Sequence, residues 1–103
     1  MNNELTTDRV WSVLTTVLDP EFGVNIVDLG LIYDVAIEGA VVKVAMTLTS
    51  QACPAGEMLV GGVHAAVNEM PGVDDVRVEL VWEPRWTPDM LTDAGREQLN
   101  FQR

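Results

Sequence analysis

A single thiol, a single histidine and three clustered acids are the groups with which this 103-residue chain could do chemistry. Cys53 follows a polar break at 50–52 and precedes Pro54 and an apolar stripe, which predicts it at the N-cap of a helix. Backbone N–H groups and the helix dipole favour a thiolate there. Glu57, one turn along, and the acidity of the whole chain favour the protonated thiol instead. From this local context a reactive thiol and a small buried residue are both open readings.

His64 lies eleven residues along the same predicted helix. That is roughly 16 Å from Cys53, too far for the hydrogen bond of a Cys-His dyad within one chain. It shares a helix face with Glu57, Gly61 and Asn68, so it is expected in solvent. A closed zinc site needs four Cys or His ligands, and the chain offers one of each. Iron-sulfur clusters are usually held by four thiolates, of which one chain supplies one and a two-fold dimer two. Any cluster bound here would be exposed and transferable, with remaining ligands from a partner or a small thiol.

Asp19, Glu21 and Asp28 fall in one predicted loop. Asp19 before a proline suits a turn, and Asp28 can satisfy loop N–H groups. Paired carboxylates can also perform acid-base work, but spacing alone does not fix their separation. Trp82, Trp86 and Met90, in a proline-punctuated tail, read equally as packing and as interface anchors.

The elements that must position these groups follow from periodicity. Val10, Trp11, Leu14, Val17 and Leu18 recur at helical spacing, predicting a helix from about Asp8 to Leu18 that Asp19-Pro20 ends. Residues 31–38 and 41–49 alternate about Gly39-Ala40, an antiparallel hairpin. Leu59, Val63, Ala66, Val67 and Met70 mark a second helix that Pro71-Gly72 stops. Gly61 and Gly62 interrupt it at about 1 kcal/mol each, so either the helix is weakened there or something packs against its backbone. Residues 76–82 alternate as a third strand, parallel to the second through the helical crossover. The expected fold is α+β: a two-layer αββαβ domain whose three-stranded mixed sheet carries helices on one face. One domain spans 1–103, with a core of about 8–82 and a tail, 83–103, holding a short helix capped by Thr92.

The charge balance narrows the partners. Sixteen acidic and six basic residues give a net charge of -10, which repels phosphate backbones and anionic lipid surfaces. No nucleic-acid or membrane role is expected. The N-terminus lacks a signal-peptide pattern and no run reaches the ~20 apolar residues of a span, so a cytoplasmic protein is expected. One cysteine cannot make an internal disulfide, in keeping with a reducing compartment.

Several motifs in order resemble one family. Asp19-Pro20-Glu21, the run 25–33, Met46-Thr47-Leu48-Thr49 and Cys53-Pro54 look like the SufT-like metal-sulfur cluster assembly factors. Pro71-Gly72-Val73, Val81-Trp82, Pro84, Trp86, Pro88-Asp89-Met90 and Gly95-Arg96 resemble the same family's later pattern, so the likeness covers about residues 8–101. It implies a non-enzymatic factor in iron-sulfur protein maturation. Within it Cys53 corresponds to the functional thiol, a transient ligand of iron or a cluster, and Asp19, Glu21 and Asp28 to the acidic loop. The family's phenylacetate-pathway relative carries an added cysteine-containing C-terminal segment; this sequence ends without one, which favours the short assembly-factor type.

The expected partners are assembly proteins, client apo-proteins and a second copy of the chain. Two rival readings stand beside it. One is an adaptor that binds through Trp82, Trp86 and Met90; the other is a thiol-dependent transferase with its base supplied in trans.

Overall fold

The computed structural model describes residues 5–49 and 56–99. Helix α1 spans Thr7–Leu14, with the Thr6 side chain accepting from the Arg9 N–H as its cap. It ends a turn earlier than the apolar spacing predicts. Thr15 and Thr16 turn their hydroxyls back onto the Ser12 and Val13 carbonyls, each at 2.6 Å, which competes with further helix. Leu18 therefore leaves the buried stripe: it is 57% exposed and bridges to Asn25 in a small antiparallel closure.

Strands β1 (Ile32–Glu38) and β2 (Val41–Met46) pair antiparallel. Strand β3 (Asp75–Leu80) joins β2 in parallel, giving the order β1-β2-β3. The mixed three-stranded α+β architecture is as expected, and β2 and β3 are shorter than their alternation suggests. Helix α2 (Gly56–Asn68) makes the crossover and a short α3 (Asp93–Leu99) follows a single 3-10 turn at Pro88–Met90. The predicted N-cap at Cys53 lies outside the described residues.

Val42, Val44 and Met46 face the core with Val35 and Val76, and Val10, Leu14, Leu59, Val63 and Val67 cover them from α1 and α2. Asp34, Ala36, Lys43, Ala45, Arg77 and Glu79 line the opposite, open side of the sheet. That is the alternation of a sheet solvated on one face. The two helix glycines have different surroundings. A Cβ at Gly62 would meet Val17 at 3.3 Å, so a neighbour does pack against the backbone there, whereas Gly61 faces open space.

The pairing of β1 with β2 slips between Ile32 and Asp34, leaving Tyr33 as the extra residue. Such a bulge re-aims a side chain. Here the Tyr33 hydroxyl donates to the Pro84 carbonyl at 2.8 Å and approaches Met90 Sδ at 3.3 Å.

Candidate functional site

The acidic loop and the tail meet beside the start of β1. Asp28 is held from both sides: Asn25 Nδ2 donates to its Oδ2 at 2.8 Å and the Thr92 hydroxyl to its Oδ1 at 2.9 Å. Its own N–H donates to Asn25 Oδ1, and its carbonyl accepts from the Thr92 N–H. Thr92 in turn accepts from the Gly95 N–H, which caps α3. Asp28 thus joins the loop to the tail, and neither of its carboxyl oxygens is left over.

Asp19 is arranged otherwise. It is 1% exposed, and its Oδ1 accepts from the Glu21 N–H at 2.8 Å, an Asx turn that Pro20 prepares. Its carbonyl takes the Phe22 and Gly23 N–H groups and its N–H donates to Val24, so the 19–24 loop winds around this residue. Among the described residues Oδ2 is buried without a hydrogen-bond partner. An unpartnered buried carboxyl oxygen costs on the order of 1–3 kcal/mol, and turn formation requires only Oδ1. Glu21 itself is exposed. Asp19 and Asp28 share a loop but no partner.

Two tail residues of the sequence reading are engaged within the chain. The Trp86 indole donates to the Leu29 carbonyl at 2.7 Å, and Met90 receives Tyr33. Gly30 makes this docking possible: at φ +78° it lets the Met90 carbonyl lie where any Cβ would stand. Trp82 is placed differently. With Leu48, Gly56, Val60, Gly61, Leu80 and His64 it lines an apolar groove of about 620 Å³ between α2 and β3. His64 is exposed, as expected. Leu48 and Gly56 stand at the two roots of the stretch that contains Cys53, which itself lies outside the described residues.

Burial holds the Tyr33 phenol above its ordinary value of 10.0, partly offset by the nearby Thr47 hydroxyl. Thr47 is wholly buried, and among the described residues its Oγ1 makes no hydrogen bond of normal geometry. Among the described residues no three Cys, His, Asp or Glu side chains gather as a metal site. No described helix is long and apolar enough to cross a membrane.

The model of the iron-sulfur cluster assembly protein family matches residues 7–80, the whole ββαβ core with α1 and the acidic loop. The chain belongs to this family. It is 42% identical to an Fe-S protein maturation auxiliary factor of Porphyromonas gingivalis, over 98% of this chain and 99% of that one. It is 44% identical to the Fe-S protein maturation auxiliary factor SufT of Staphylococcus aureus, over 81% of this chain and 96% of the relative. In three dimensions it is similar to a domain of unknown function, DUF59, from Bacillus anthracis, with a TM-score of 0.86 and 34% identity over 92% of each chain. The family resemblance read from the motifs is therefore correct. The signals missed in the sequence are the Asp19 oxygen, the bulge at Tyr33 and the groove beside Gly61.

Proposed function

We propose that this protein is a non-enzymatic factor in the maturation of iron-sulfur proteins, passing iron or a cluster to client apo-proteins through transient ligation by Cys53. The cluster is cargo in this reading, and one thiolate suits a hold that must be released. Its relatives bear the names of maturation auxiliary factors. The observation that carries the reading to particular residues is the buried Asp19 oxygen, which the turn does not use and which sits in the acidic loop with Glu21 and Asp28.

Because ligation displaces the thiol proton, affinity for iron or a cluster falls as pH drops. The Cys53→Ser variant is expected to fold as the parent does, by circular dichroism. It should lose the ability to restore client enzyme activity in cells that carry no other copy. Undiminished client activity in those cells would defeat the proposal. Anaerobic reconstitution with iron and sulfide, read by absorbance on parent and variant, separates ligation from mere partner contact.

A second reading is favoured by the groove, where Trp82 and the 38%-exposed Leu80 stand together. There the chain acts as an adaptor and the apolar wall takes up a partner. Under it Trp82→Ala removes partner capture and Cys53→Ser leaves capture intact.

A further inference from the structure

Among the described residues the sheet has two free edges, and they are built differently. Strand β1 carries a register slip, a feature that blunts an edge against pairing. Strand β3 has neither a bulge nor a proline, and its six residues run in unbroken register with β2. The Val81 N–H donates to the Met46 carbonyl at 2.8 Å, so alternation turns the backbone groups of Arg77 and Glu79 toward β2. Those of Val76, Val78 and Leu80 then point outward, and no described strand lies beyond them.

The side chains of this edge are complementary to themselves. Arg77 and Glu79, both exposed and of opposite sign, flank Val78 on the open face of the sheet, and Arg77 Nε also meets Asp75 Oδ2 of its own strand at 3.3 Å in an exposed pair that can exchange. On the core side Val76 and Leu80 flank the same residue, and Leu80 remains 38% exposed for want of a cover.

We infer that the occupant of this edge is a second copy of the chain, pairing β3 to β3 antiparallel about a two-fold axis through Val78. In that register the two Val78 residues exchange both backbone hydrogen bonds. Val76 stands opposite Leu80 of the second copy, and Arg77 opposite its Glu79, twice by symmetry. The charge pairs fall at the non-hydrogen-bonded positions, where facing side chains approach most closely. Centring the axis on Arg77 or on Glu79 sets like charges face to face, and centring it on Val76 or Leu80 shortens the ladder. Charge and length select one register.

The dimer is a six-stranded sheet with isologous symmetry. Its antiparallel seam sends the C-terminal ends of the two β3 strands to opposite extremes. The roots of the Cys53 stretch, Leu48 and Gly56, lie beside that end of β3 in the groove shared with Leu80.

The full chain tests this by sedimentation velocity over a concentration series reaching the millimolar range, with circular dichroism as the folding control. The parent is expected to show a monomer-dimer equilibrium. R77E and E79R, each alone, set like charges opposite one another twice and should loosen the dimer about tenfold or more. The double variant R77E/E79R restores both pairs and should recover it. Mixing the two single variants gives complementary edges, so native mass spectrometry of one isotopically labelled partner should show the heterodimer above either homodimer. A parent that stays monomeric throughout overturns the inference. So do single variants that dimerise like the parent, or a mixture that forms no heterodimer.

Discussion

Asp19 and Asp28 are nine residues apart in one loop, yet the fold treats their carboxyl groups in opposite ways. Asp28 spends both oxygens on holding Asn25 and Thr92, so it is a clamp between loop and tail. Asp19 spends one on the Glu21 N–H and keeps the other buried and, among the described residues, unmatched. Under the proposed function the difference separates stability from activity within a single motif: one acid builds the site and the other is the candidate to act in it.

Removing each acid in turn is the direct way to break that contrast. Asp28→Ala is expected to give the largest loss, about 1–2 kcal/mol, because it strands Asn25 and Thr92 and loosens the start of α3. Urea titration followed by tryptophan fluorescence would read it, since Trp86 sits on the adjoining Leu29 carbonyl. Asp19→Asn keeps an acceptor for the Glu21 N–H and removes the oxygen that no described residue bonds. Its stability should stay within about 1 kcal/mol of the parent while client maturation in cells falls. A variant that loses stability as Asp28→Ala does, or that matures clients normally, would erase the distinction.

The smallest effect concerns Tyr33, which joins the same tail to β1. Its phenol is raised above 10.0 by burial, so folding favours the protonated form. The stabilisation is complete below the unfolded value and is lost as pH rises through the higher folded one. Tyr33→Phe is expected to cost about 1 kcal/mol at neutral pH, through the lost bond to Pro84, and to remove that alkaline decline. Thermal melts across the alkaline range on both proteins would show the two curves converging.

How much of this was legible beforehand depended on the range of the interactions. Hairpin and crossover helix announce themselves because a period of two or of 3.6 is a local property, and the motifs around Cys53 and Asp19 mark the family in the same local way. The premature end of α1 was masked by Val17 and Leu18, apolar residues at helical spacing whose threonine neighbours bond backward instead. Gly61 and Gly62 look alike in sequence, and only packing tells the one against Val17 from the one above the groove. The seating of Trp86 and Met90 on the acidic loop could not be read at all. It joins positions 57 residues or more apart, and nothing in either stretch signals the other.

That same separation sets an order of events during synthesis. Thr92 closes onto Asp28 across 64 residues of sequence, so a nascent chain can assemble hairpin and helix while its acidic loop still lacks its lock. The loop reaches its final form only once Thr92 and the start of α3 have cleared the ribosome. A product that stops before Thr92 would carry the acids without the framework that holds them.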